Sequence, residues 1–176
     1  MSLTQLRSRG ILDGTITAGD LATGVGGKVL QVVQSTLTGS AVSTTSTSFV
    51  ASGLIASVTP SSASNKILLN VSGHGMYLQG GTGGSIDVAI YKQIASGGYS
   101  QITASSFDYC NYDLGSENIT PHSFTYLYSP NTTSQVDIQP YFRKNPNASN
   151  TVSFFHNHHF STGYGQSVLT LMEIAG

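Results

Sequence analysis

The sequence predicts an all-β chain, an antiparallel sandwich or jelly roll, and three observations predict it. Apolar and polar residues alternate with a period of two, punctuated by Gly, Pro and Asn, as half-buried antiparallel strands require. Beyond the first two dozen residues no stretch keeps a helical period over about three turns. Only 9% of the 176 residues are charged, against about 25% in ordinary soluble domains, yet the mean hydropathy is only +0.02. Ser, Thr, Asn and Gly, with Tyr and Phe among them, stand where Lys and Glu usually would.

Taken in order, the chain begins with a segment unlike the rest. Its text ILDGTITAGDLATG has Ile11, Leu12, Ile16 and Leu21 as its only substantial apolar anchors, and it ends at Gly24-Val25-Gly26-Gly27. Burying four such side chains contributes roughly 6–12 kcal/mol. Ordering about twenty residues of backbone costs roughly 20 kcal/mol or more. Residues 1–26 therefore cannot fold alone: they are either a disordered tail or, the reading favoured here, an arm that orders against another polypeptide.

Residues 27–176 are expected to form the sandwich. Strands are predicted at 28–34 (KVLQVVQ), at 54–59 before the turn Pro60-Ser61-Ser62, and at 66–77 (KILLNVSGHGMY). In 85–93 (SIDVAIYKQ), Ile86, Val88 and Ile90 share one face and Asp87, Ala89 and Tyr91 the other. Further strands are predicted at 122–128, 135–142, 151–160 and 167–174. In the last, Val168, Thr170, Met172 and Ile174 share one face, and Leu169, Leu171 and Glu173 the other. Both faces are largely apolar, so this strand should be covered on both sides and sit centrally or against a neighbouring subunit. Loops are expected at 79–84 and, much longer and exposed, at 103–121. Eight or nine strands in about 150 residues suit a sandwich or jelly roll.

Several function classes drop out on composition. The start MSLTQLRSRG is polar and unlike a secretory signal. No apolar run approaches the roughly 18 residues that span a bilayer, so no membrane partner is expected. The lone Cys110 rules out an intrachain disulfide. Only seven Lys and Arg are present, with Arg143-Lys144 the adjacent pair, which argues against nucleic acid. Four Asn-x-Ser/Thr sequons, at Asn70, Asn118, Asn131 and Asn147, are ordinary by-products of such a composition.

Four stretches carry a resemblance: GKVLQVV (27–33), TPSSASNKILLNVSG (59–73), SPNTTSQVDIQPYF (129–142) and SVLTLMEIAG (167–176). They resemble virion structural proteins of tailed, cyanophage-like marine and freshwater phages, described as tail-fibre-like or capsid decoration proteins. The resemblance spans roughly residues 11–176, and the arm is similar to fibre segments that run along a threefold axis. It implies a homotrimer on the virion surface with a jelly roll like that of the tumour-necrosis-factor family. It also implies the major capsid protein or another virion protein as partner. A complete receptor-binding fibre carries a longer shaft than some 26 residues, so decoration (cement) is favoured, with a fibre tip recognising host cell-surface glycans as the alternative.

Candidate sites follow. Arg7, Arg9, Ile11, Leu12, Ile16 and Leu21 are the expected docking residues of the arm. In Phe155-His156-Asn157-His158-His159, a strand puts His156 and His158 on one face about 7 Å apart. Threefold symmetry would ring an axis with such imidazoles and could hold a borderline metal; polar residues at a strand end or subunit contact are the simpler account, and no metal or other cofactor is expected. In the segment from Phe107 to Glu117, Tyr109, Tyr112 and Asp113 are candidate glycan contacts, since tyrosine beside carboxylate can stack on a sugar and bond its hydroxyls. A trimer-contact loop is the simpler account. Asp108, Asp113 and Glu117 could supply a hydrolytic carboxylate pair, but any acidic loop offers as much. No G-x-S-x-G elbow exists, and Gly80-Gly81-Thr82-Gly83-Gly84 lacks the Lys-Ser/Thr of a phosphate loop. Cys110 reads as a spectator thiol, and His74 between two glycines as the mark of a bulge. No enzyme is expected.

Overall fold

Alternating residues need two surfaces, one to bury and one to leave outside, and a pair of facing sheets supplies both. The computed structural model describes residues 28–37, 42–79, 82–103, 107–114, 118–146, 151–154 and 167–176. Among them no residue is helical. The described residues form twelve strands, where eight or nine were expected: β1 (Val29–Leu37), β2 (Val42–Thr44), β3 (Val50–Ala51), β4 (Ala56–Val58), β5 (Lys66–Gln79), β6 (Thr82–Ile94), β7 (Ser100–Gln101), β8 (Phe107–Leu114), β9 (Asn118–Tyr128), β10 (Val136–Lys144), β11 (Thr151–Phe154) and β12 (Ser167–Ile174).

All pairings are antiparallel and fall into two sheets of six strands each. In the first sheet β9 flanks one side of β5, and β12 and β11 follow one another along its other side. β1 then borders β12, and β2 borders β11. In the second, β10 lies between β6 and the short strands β3 and β4, while β7 and β8 border β6. The inward rows meet in one core. Ile67, Leu69, Val71, Phe124, Val152, Leu169 and Leu171 come from the first sheet, and Ala56, Val58, Ile86, Val88, Ile90, Val136, Ile138 and Phe142 from the second.

Two expectations need correction, and a third is only partly described. The long exposed loop at 103–121 is largely strand: β8 pairs with β6 from Thr82↔Leu114 to Val88↔Phe107, and β9 begins at Asn118. Polar residues suit β8 because it is an edge strand, where charge discourages unwanted pairing. The 79–84 loop is shorter than expected, since β6 already begins at Thr82. The strand expected over 151–160 is described only as Thr151–Phe154, and the rest lies outside the described residues. The extra residue near His74 is real: the β5–β9 register shifts between Gly73 and Met76, which is a bulge.

β12 does lie centrally, between β1 and β5. Its two faces are not equal. Leu169, Leu171 and Glu173 are buried, whereas Val168, Thr170, Met172 and Ile174 are half-buried, so within one copy the outer face is incompletely covered.

Candidate functional site

The described part of β1 begins beside the last residues of the chain. The Ala175 amide donates to the Lys28 carbonyl at 2.8 Å. A bulge at the start of β1 makes this end unusual: Val29 pairs with Ile174, and Gln31, two residues on, with Glu173 next to it. The shift turns Gln31 inward beside Glu173, a carboxylate only 1% exposed. Gln31 Nε2 donates to its Oε2 at 2.6 Å. The backbone amide and hydroxyl of Ser61 donate to Oε1 at 2.7 and 2.8 Å, and Asn65 Nδ2 at 2.6 Å. Ser61 and Asn65 belong to the turn between β4 and β5, closed by the Asn65 amide on the Ser62 carbonyl at 3.2 Å. Two further bonds extend the cluster: Gln31 Nε2 to the Thr59 carbonyl at 2.8 Å, and the Gly176 amide to Asn65 Oδ1 at 3.1 Å.

This clasp holds β1, β12 and the β4–β5 turn through one carboxylate whose donors are all neutral. Burial alone pushes the Glu173 carboxyl up, but the hydrogen bonds from Gln31, Asn65 and Ser61 outweigh it and lower it from 4.5 to about 2. The charged form is thus the one the fold is built around.

Above the clasp, the outer face of the first sheet carries a row running from edge to edge. Val32 pairs with Met172, Met172 with Leu68, and Leu68 with Leu127. Leu68 and Met172 are half-buried, while Val32 is 57% and Leu127 48% exposed. The next row, Gln34–Thr170–Asn70–Thr125, is polar. Within it Gln34 Nε2 donates to Thr170 Oγ1 at 3.2 Å, and Asn70 Nδ2 to Thr125 Oγ1 at 2.9 Å.

The outer face of the second sheet is aromatic. Tyr91 stacks on Tyr141 with centroids 4.1 Å apart, Phe49 leans on Tyr91 at 5.9 Å, and Tyr99 on Tyr141 at 5.8 Å. Burial, then the nearby Asp137 and Tyr141, push the Tyr99 phenol up. Arg143 lies 4.5 Å from the Phe49 ring centre, and its Nε donates to Asp87 at 2.8 Å. Asn145 Nδ2 supports the same carboxylate at 3.2 Å. This cover accompanies the burial of Asp87 and Ala89 on the face opposite Ile86, Val88 and Ile90.

Of the residues singled out in the sequence, Arg7, Arg9, Ile11, Leu12, Ile16 and Leu21 lie outside the described residues, as do His156 and His158. Tyr109, Tyr112 and Asp113 sit on β8 and not on a loop, with Tyr109 opposite Ile86 of β6. Among the described residues no three His, Cys, Asp or Glu gather as metal ligands would. The clasp went unnoticed in the sequence, although one signal for it is present: Glu173 shares the inward face of Leu169 and Leu171. A carboxylate in such a row needs several donors.

No protein-family model matches the chain, and no curated protein is similar to it. Among solved structures, a chain in the structure of infectious bursal disease virus, Gx strain, is similar over 84% of this chain and 43% of that chain. The TM-score is 0.34 and the identity 12%. The present chain spans less than half the length of the chain it matches.

Proposed function

We propose that the chain is a virion structural protein of a tailed phage, a homotrimer on the outer surface of the particle that acts as a capsid decoration or cement protein. A jelly-roll reading is supported by the strand order, with β1-β12-β5-β9 facing β4-β10-β6-β8. The four text resemblances support the virion role. The observation that carries the mechanism is the clasp at the arm root. A tether transmits load only into something fixed, and Lys28 to Gln31 are held to both β12 and the β4–β5 turn.

In this reading the protein acts mechanically and not as an enzyme. Ile11, Leu12, Ile16 and Leu21 of the arm fill grooves on the major capsid protein, and Arg7 and Arg9 pair with acidic residues there. Three arms on one body then raise occupancy beyond what one arm achieves. Deleting residues 1–24 should leave a folded, soluble oligomer that no longer decorates capsids in a co-sedimentation assay. Retained decoration by the truncated protein overturns the docking role.

A second reading, a fibre tip recognising host glycans, is favoured by the tyrosine row on the second sheet. Tyr99→Ala and Tyr112→Ala, compared on host polysaccharides, separate that row from the β8 residues first singled out. Binding by neither parent nor variant eliminates it.

A further inference from the structure

We infer that the outer face of the second sheet binds one pyranose unit of a neutral polysaccharide, over its tyrosines and against the carboxamide of Gln139. The inference rests on the glycan-recognising reading above and gives it a site. Gln139 lies directly opposite Tyr91 on that face, with Asp137 and Tyr141 two residues to either side of it along β10. Tyr99 completes the surround, its ring 5.8 Å from that of Tyr141 and its phenol pushed up by burial and by the nearby Asp137. Gln139 is only 3% exposed, yet among the described residues its carboxamide has no hydrogen-bond partner. An amide buried without a partner is costly in the isolated fold. A ligand that supplies the partner removes that cost.

The donors and acceptors gathered here select the occupant. Gln139 offers donors and an acceptor, and Asp137 only accepts. The hydroxyls of Tyr99 and Tyr141 do both, and among the described residues neither is hydrogen-bonded. Gln135 Nε2 donates to Asp137 Oδ1 at 2.8 Å, which leaves Oδ2 for a ligand. A sugar ring meets every one of these groups: its hydroxyls donate to Asp137 and accept from Gln139, while its C–H face lies on a tyrosine ring. A quaternary ammonium would suit the rings but gives the amide nothing to donate to. A proline-rich peptide would bring carbonyls to Gln139, but its prolines have no N–H to give Asp137. An acidic sugar would meet the Asp137 carboxylate, and Arg143 on the same face is already engaged by Asp87. Tyr91, Tyr99 and Tyr141 are half-buried, so part of the platform is open, and the amide beneath is reached when a surface tyrosine changes rotamer.

The test runs the full chain in native gels cast with dextran, mannan or galactan, in which binding retards migration. Retardation of the parent by at least one of them, relieved by the matching free monosaccharide, is expected. Gln139→Leu and Tyr99→Ala should each weaken that binding by about tenfold. Because Gln139→Leu removes a buried group that has no partner, it should melt at or above the parent's temperature, so its lost binding is not lost folding. A lower melting temperature for Gln139→Leu, or parental binding by either variant, overturns the site and leaves the glycan reading standing. Retardation of the parent by none of the three polysaccharides overturns that reading and this inference together. Binding of tetramethylammonium or of a polyproline peptide in place of sugar, followed by the tyrosine ring resonances, overturns the assigned occupant.

Discussion

Replacing Glu173 by Gln preserves the side chain's shape but turns one acceptor into a donor facing Asn65, Ser61 or Gln31, all of which donate. At pH 7 the variant should lose about 2 kcal/mol, read from urea denaturation. The parent's own pH dependence has a definite sign. The folded carboxyl titrates near 2 and the ordinary value is 4.5, so its contribution is complete above about 4.5 and fades as pH falls from there toward 2. Melting curves of Glu173→Gln should be flatter than the parent's across that window, and parallel curves would show that the clasp does not govern acid sensitivity. Arg143 invites a similar experiment. Its loss leaves Asp87, only 3% exposed, with a carboxylate held by Asn145 alone among the bonds to its oxygens described above. Arg143→Ala should cost about 2 kcal/mol, below the range for fully buried pairs because the Arg143 side chain is 29% exposed. Arg143→Lys should recover part of this, as it restores charge without the forked donor or the flat group over Phe49.

At the level of elements, the β6–β7 hairpin carries a visible mismatch between residue and backbone. Ala95 and Ser96 have φ of 47° and 62°, and the Gly97 amide closes the turn on the Ile94 carbonyl at 2.9 Å. Positive φ at both central positions is the pattern that Asn-Gly satisfies best. Ala95→Asn with Ser96→Gly should therefore stabilise the fold by about 1 kcal/mol, seen as a higher melting temperature. The long strands were legible because period two runs through many residues in β5, β6, β10 and β12. The strands that escaped notice did so for physical reasons. β3 and β7 have two residues each, too few for any period, and β8 reads FDYCNYDL, an edge-strand composition that also describes a loop. Its strand character comes from β6 alongside it.

For the whole molecule, scarcity of charge sets how assembly should respond to conditions. Any association through the apolar row of Val32, Met172, Leu68 and Leu127 would gain little from Coulomb attraction, and salt at about 1 M, where the screening length is about 3 Å, should leave it intact. Sedimentation in low and high salt tests this, and dissociation at high salt would point to ionic contacts instead. Arm docking through Arg7 and Arg9 should be salt-sensitive, so the two associations can be separated by ionic strength alone.

Residue order by itself determined the all-β class and the central last strand, because each follows from local pattern. Tertiary structure alone decided which faces stay open and which polar groups meet. Glu173 lies more than a hundred residues from Ser61 and Asn65, and the apolar row joins β1, β12, β5 and β9 from four distant parts of the chain. Such neighbours are set by strand order and register, which are non-local and leave no periodic trace in any one segment.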